Sequence, residues 1–462
     1  MPIEDIKWAL DSLKKRAVNY KLCRDYYNGA HRLDFIPADF RRDFAALLRR
    51  ARLNMCPAVV TAVRDRLKLT GLTGDKDDQK LKDDIAAIWR RNRMEQRAGE
   101  VHLESLMVGD SYVIVWPSQR TGEVTFYPQY AEMVTVEYDD EEPDLIIRAA
   151  KWWKLEDGRV ALALYYPDVI ENYETRNKVE GGELKANSFE EAAENPTVLN
   201  QYGRVPVFHF GNSAPVGGFG VSELHDAISV QDGLNKTIRD MLIGGENMAL
   251  PQRYATGVEM RTDATTGQPV NQWTPGDFWT SRNESAKFGQ LDAANLDQLD
   301  KVKGSYKEDM AIVTGTPIHY FSPGGGTPPS GEALKTIEFR LASKVDDKQT
   351  AAGNVWEEAF RFGLQISGRE DVELDALWKD TTPRNQSEYQ TMVIERMEKL
   401  GMPKDQAFRE LDYTDEEIER FMLEAAQPGP QGEQEAVDWW QENAPAGAKD
   451  LINAQPAEGV AQ

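Results

Sequence analysis

The chain has 462 residues, 40% of them hydrophobic and 28% charged, the balance of a globular protein with room for more than one domain. Seventy-seven acidic residues against 54 basic ones leave a formal net charge of −23, which excludes a surface that grips nucleic acid or anionic lipid over its whole extent. The two cysteines, Cys23 and Cys56, give neither a disulfide framework nor a zinc site and agree with synthesis in a reducing cytosol.

The N-terminus, Met1-Pro2-Ile3-Glu4-Asp5, lacks the basic and apolar regions of a signal peptide. No apolar run reaches the roughly 20 residues that span a bilayer, so neither ordinary secretion nor membrane integration is expected. From about Ile3 to Leu69 the chain reads as helices. Ile6, Leu10, Leu13, Ala17 and Tyr20 recur at helical spacing, Val59, Val63 and Leu67 repeat it, and Tyr26-Tyr27-Asn28-Gly29 is a helix stop. Lys76 to Asn92 is a further amphipathic segment with Leu81, Ile85 and Trp89.

From Gly109 the period changes to two. Ser111–Trp116, Val124–Tyr127, Val134–Tyr138, Ile146–Trp153 and Val160–Tyr165 predict an antiparallel β region. Residues 177–203 are polar and unpatterned and read as a surface excursion before a short strand, Val205–Phe210. After Gly217-Gly218-Phe219-Gly220 a long helix is predicted from Val221 to Ala249, with Leu224, Ile228, Leu234, Ile238, Met241 and Leu242 on more than one face. Pro251 ends it. Residues 250–291 hold Tyr254, Trp273, Phe278, Trp279 and Phe288 among turn residues and read as a small β-containing module. A second helix over 292–316 carries Leu299, Val302, Tyr306, Met310 and Val313 and stops at Gly315-Thr316-Pro317. A third, after Ser330-Gly331, is predicted over roughly 35 residues, or roughly 50 Å at 1.5 Å per residue. Helices of such length exceed what one lobe can bury and are expected to pack against neighbouring copies. A last helical unit covers Ser387–Ala425 with a break near Gly401-Met402-Pro403, and residues 427–462, with Trp439-Trp440, read as a disordered acidic tail.

Gly326-Thr327-Pro328-Pro329-Ser330-Gly331 has the spacing of a phosphate-binding loop. Glu332 and Ala333 stand where that loop needs Lys and Ser or Thr, so the segment reads instead as a shaped loop before a helix capped by Ser330. His31, His102, His209, His225 and His319 show no metal-ligand spacing, and the acidic runs 75–78 and 139–142 lack the pattern of a calcium loop. No metal or cofactor is therefore expected. Lys303, Lys307, Lys335, Arg340, Lys344 and Lys348 lie on the second and third helices, where they either face a polyanion or form a solvated face with partners such as Glu332 and Glu338.

A set of short motifs recurs in order: Tyr26-Tyr27-x-Gly29-x-His31-Arg32-Leu33, Gly109-Asp110-Ser111-Tyr112-Val113, Gly220-x-Ser222-Glu223-Leu224, Gln231-Asp232-Gly233-Leu234-Asn235-Lys236, Pro251-Gln252-Arg253, Thr314-Gly315-Thr316-Pro317 and Pro329-Ser330-Gly331-Glu332-Ala333-Leu334-Lys335. With the helix, insert, helix, loop, helix plan between them, the chain resembles bacteriophage portal proteins of the type found in long-tailed actinobacterial phages, over about residues 1–425.

The resemblance implies an α+β, predominantly helical portal fold with wing, stem, clip and crown. Residues 1–220 and the long helix 332–368 would be the wing, 221–249 and 292–316 the stem, 250–291 the clip, 317–331 the tunnel loop and 380–425 the crown. It further implies a twelve-subunit ring at one capsid vertex of the virion, a non-enzymatic channel for double-stranded DNA. The terminase large subunit, the major capsid and scaffolding proteins and a head-tail adaptor would be its partners. Under this reading His319, Tyr320, Phe321, Pro323, Gly324, Gly325, Gly326, Thr327, Pro328 and Pro329 form the tunnel loop. Lys303, Lys307, Lys335, Arg340 and Lys344 are candidate channel-facing cations, and Arg253, Tyr254, Trp273, Phe278 and Trp279 would meet partners at the clip. An acidic conduit suits sliding DNA, because each phosphate neutralised by a cation adds affinity that slows it. A head-completion or minor capsid protein would not need paired helices around an insert. A nucleotide hydrolase or nuclease would need the phosphate loop or a convergent His/carboxylate group.

Overall fold

The computed structural model describes residues 3–31, 52–75, 77–179, 184–249, 253–257, 283–290, 296–322, 331–380, 386–411, 413, 417, 418, 420 and 421. The chain forms two compact units, Met1–Thr382 and Pro383–Gln462. The acidic tail with Trp439 and Trp440 lies outside the described residues.

In the first unit, helix α1 (Ile3–Tyr27) buries Ile6, Ala9, Leu13, Tyr20, Cys23 and Tyr26, with Glu4 and Asp5 in its first turn and Arg24 in its last, as the helix dipole favours. It stops at Gly29, whose φ of 73° is the left-handed conformation of a helix C-terminus. Helix α2 (Cys56–Arg64) follows. Strand β1 (Leu69–Thr73) is antiparallel to the distant β13 (Asp375–Trp378), a pairing no local pattern announces. Helix α3 (Gln79–Asn92) opens on Asp78, whose carboxylate accepts the Leu81 N–H at 2.8 Å.

Helix α4 (Met94–Val108) is absent from the sequence reading. Residues around much of its circumference are buried, His102, Glu104 and Ser105 included, so it shows no one-sided apolar stripe.

Strands β2 (Asp110–Pro117), β3 (Val124–Gln129) and β10 (Val207–Gly211) form an antiparallel sheet in the order β10-β2-β3. Both faces of β2 are covered: Val113 and Val115 enter one core cluster, Tyr112 and Ile114 another. The predicted β region is thus two sheets. The second sheet runs β4 (Val134–Tyr138), β5 (Ile146–Lys154), β6 (Val160–Tyr165), β7 (Val169–Thr175), with β8 (Phe189–Glu191) and β9 (Thr197–Leu199) both paired to β7. The excursion at 177–203 therefore carries two short strands.

Helix α5 (Ala227–Ala249) begins later than Val221. Residues 221–226 are engaged elsewhere: Glu223 N–H donates to Leu106 O at 3.0 Å and Ser222 Oγ to Met107 O at 2.5 Å. They satisfy the free carbonyls at the end of α4 instead of starting a helix. Strands β11 (Arg253–Thr256) and β12 (Lys287–Gln290) pair antiparallel inside the insert. Helix α6 (Asp297–Thr314) returns beside α5, and helix α7 (Gly331–Ile366) spans 36 residues.

The burial of α7 is uneven along its length. Trp356, Phe360, Phe362 and Leu364 are at most 1% exposed, packed by this chain's own β2, β3, β10 and α3, whereas Ile337 and Phe339 are 42% and 74% exposed. The C-terminal part of α7 is thus buried within this chain, against the expectation that a helix of this length exceeds what one lobe can bury.

The second unit contains α8 (Gln386–Leu400) and α9 (Lys404–Glu410), separated at Gly401 with φ of 69°. Phe408, Tyr413 and Phe421 form an aromatic cluster there, with centroids 5.5–5.7 Å apart.

Candidate functional site

The two helices that flank the insert form an antiparallel hairpin. Tyr306 of α6 lies across Gly233 of α5, where a Cβ would meet the ring at 2.6 Å, and Leu296 lies near Gly244. The Gln231–Lys236 motif thus does two things: Gly233 admits a ring, and its polar residues clamp the N-terminal segment. Gln231 accepts Met55 N–H at 2.9 Å and donates to Leu53 O at 2.7 Å, Tyr26 Oη reaches Asp232 at 2.7 Å, and Asn235 meets His31 at 2.7 Å. Burial holds His31 below the ordinary histidine range.

A second cluster joins the Gly109-Asp110 and Gly220–Leu224 motifs. Asp110 is fully buried and accepts from Tyr20 Oη at 2.5 Å, His209 Nε2 at 2.7 Å and Gly220 N–H at 2.7 Å. Burial alone would raise its pKa, but these donors outweigh it and hold the carboxyl below its usual range. Gly220 has no space for a side chain, since a Cβ would lie 2.0 Å from Gly109 O.

Beside it, Glu223 takes both Lys344 and Lys348 of α7, the latter at 2.6 Å, and Lys348 also donates to the side-chain Oδ1 of Asn212. Burial pushes Glu223 up, yet the two ammonium groups prevail and keep it ionised below the ordinary value. For Lys348 burial dominates and lowers its pKa despite Glu223.

The Pro/Gly loop leaves this framework at a fixed root. Gly315, with φ of 67°, ends α6, and Lys344 caps the helix by donating to Thr314 O at 3.0 Å. A short 3₁₀ turn, Ile318–Tyr320, follows, and Phe321 drops into the core at 5% exposure. His319 Nε2 lies 2.9 Å from Glu338 Oε1 of α7, whose other oxygen pairs with Arg66 at 2.6 Å. Arg66 also donates to Tyr320 Oη at 3.0 Å, and Lys307 to Ser322 Oγ at 3.3 Å.

Of the expected loop residues, His319, Tyr320 and Phe321 therefore sit at the root, whereas Pro323, Gly324, Gly325, Gly326, Thr327, Pro328 and Pro329 lie outside the described residues. Among the candidate cations, Arg340 is exposed, Lys303 pairs with Asp300 at 3.0 Å, Lys307 and Lys344 serve the root, and the Lys335 side chain is outside the described residues. At the insert, Tyr254 is 50% exposed and lies against Gly289 of the facing strand. The Arg253 side chain and residues Trp273, Phe278 and Trp279 are outside the described residues.

Arg66 and the double role of Glu223 escaped the sequence reading, because their partners lie far along the chain. Among the described residues no three or more His, Cys, Asp or Glu groups are placed to hold a metal, and no described helix is long and apolar enough to cross a membrane.

Residues 6–430 match the family described as phage portal protein, SPP1 Gp6-like. The portal protein of Mycobacterium phage D29 is 24% identical over 384 residues, covering 80% of this chain and 76% of that protein. The portal protein of Mycobacterium phage L5 is 30% identical over 190 residues, 40% of this chain and 39% of that one. Among solved structures, the neck of an empty GTA particle computed with C6 symmetry aligns with a TM-score of 0.46 at 11% identity, covering 78% of this chain and 94% of the other. The neck of the native GTA particle computed with C12 symmetry aligns with a TM-score of 0.44 at 11% identity, covering 81% and 94%. With the family match extending over nearly the whole of the first unit and into the second, this chain belongs to the SPP1 Gp6-like family of phage portal proteins.

Proposed function

We propose that copies of this chain form a ring, of twelve subunits, at one capsid vertex, and that double-stranded DNA passes along its axis during packaging and ejection. The observation that carries this reading is the hairpin α5–α6 with its β insert, continuous with a loop rooted at 317–322 and the long helix α7. Residues 1–220 with 332–368 would act as wing, 221–249 and 292–316 as stem, 250–291 as clip, 317–331 as tunnel loop and 380–425 as crown.

The chain itself performs no catalysis in this account. A separate terminase supplies the ATP-driven force and docks at the clip, where the half-exposed Tyr254 lies on β11 and Phe288 on β12. A head-tail adaptor takes that place later, and capsid and scaffolding proteins surround the wing. A net charge of −23 per copy keeps contacts with the duplex weak, so that phosphates are not held along the conduit.

Deleting Gly324–Pro329 is the direct test of the loop. Rings should still assemble, because the root contacts of 317–322 and the stem hairpin remain, while particles should fail to package or retain DNA. A deletion variant that fills and keeps its genome as the parent does would refute the tunnel-loop assignment.

A further inference from the structure

Glu338 lies on α7 downstream of the loop, yet two consecutive residues on the loop's upstream side depend on it. His319 contacts its Oε1 at 2.9 Å, and its Oε2 holds Arg66, which in turn donates to Tyr320 at 3.0 Å. Arg66 follows the end of α2, so three separate stretches of chain meet at one carboxylate. The Glu338 side chain is only 4% exposed while that of His319 is 39% exposed, which makes the carboxylate the fixed member and the loop root the movable one. Phe321 and Lys307 hold the next residues but do not link the two ends of the loop.

We propose that Glu338 is a positioning residue, a latch that fixes the upstream end of the loop against its downstream helix and both against α2. The Arg66 guanidinium at 2.6 Å is the ion-pair partner of this desolvated carboxylate, and losing the charge they share with the His319 contact releases both His319 and Arg66 together. The role of the loop in DNA passage rests on the function proposed above; the latch itself does not.

The test is hydrogen exchange by mass spectrometry on the full-length protein, comparing Glu338→Gln, Arg66→Gln, the double variant and His319→Ala. Peptides covering 316–322 should exchange about tenfold faster in Glu338→Gln, with the double variant no faster than the single ones, because one unit is broken once. Sheet peptides from β2, β5 and β6 should be unchanged. His319→Ala removes only the root contact and leaves the buried Arg66–Glu338 pair, so it gives the same direction even if Glu338→Gln folds poorly. Unchanged exchange at 316–322 in both Glu338→Gln and His319→Ala overturns the latch, as does acceleration spread equally over the sheets. If the root loosens while phage carrying the variant package and retain DNA normally, the latch stands and the assignment of the loop to the channel falls.

Discussion

Glu223→Gln should destabilise the first unit by about 3–5 kcal/mol, because it removes the carboxylate paired directly with Lys348 in its buried position. The Lys348 side chain is 9% exposed and its pKa is already lowered by burial, so without Glu223 the ammonium must either deprotonate or drag water into the core. Lys344 would lose its carboxylate as well, though it keeps Thr314 O. Pairing the change with Lys348→Met should recover a large part of the loss, since the deeply buried charge is then gone and Lys344, whose side chain is 27% exposed, is the better solvated of the two. Urea unfolding of the two variants checks this. A single variant within about 1 kcal/mol of the parent would show that the pair is not what fastens α7 to the segment after β10.

Acid should weaken the fold well above the range in which carboxylates titrate, and His102 is the main reason. Burial pushes its pKa down from 6.5 to about 4. Trp356 Nε1–H donates to His102 Nε2 at 2.9 Å and Nδ1 faces Leu67 O at 3.2 Å, so the folded protein holds the neutral ring with its proton on Nδ1. Between those two pKa values the unfolded chain binds a proton that the folded chain does not. Stability contributed by the neutral ring is therefore complete above pH 6.5 and is lost as the pH falls towards 4, by roughly 3 kcal/mol in total. His31, also lowered by burial, acts with the same sign. Asp110 and Glu223, held below their ordinary values, add a loss only at still lower pH. In His102→Gln the slope of stability against pH between 6.5 and 4 should flatten, measured by urea midpoints across that window. An unchanged slope would assign the acid sensitivity to other groups.

Much of the architecture was legible from period and punctuation. The strands at 134–138 and 160–165 and the long helix from Gly331 lie where the pattern places them, and Gly29 and Gly315 end their helices in the left-handed conformation. Helix α4 was not legible, because a segment buried on most sides has no polar face to reveal its period. The β1–β13 pair was not, because Leu69 and Trp378 lie far apart in the first unit's sequence and become neighbours only through tertiary structure. Ser222 and Glu223 look like the start of a helix, but that segment completes the end of α4. The motifs at Gly109 and Gly220 were visible as text, and their reason is a contact: one carboxylate, Asp110, with three donors from three parts of the chain. The same holds at the loop root, where His319 and Tyr320 were visible and their respective partners Glu338 and Arg66 were joined to them by tertiary structure alone.

The central claim is a ring with an axial conduit. Electron microscopy of the purified protein at low and high salt, with scaffold added where the protein alone stays monomeric, tests it most directly. The account predicts class averages with rotational symmetry, twelvefold in the assembled vertex, and a central hole wide enough for duplex DNA. A protein that stays monomeric at both salt concentrations and with scaffold present, or a closed assembly without an axial hole, would contradict it.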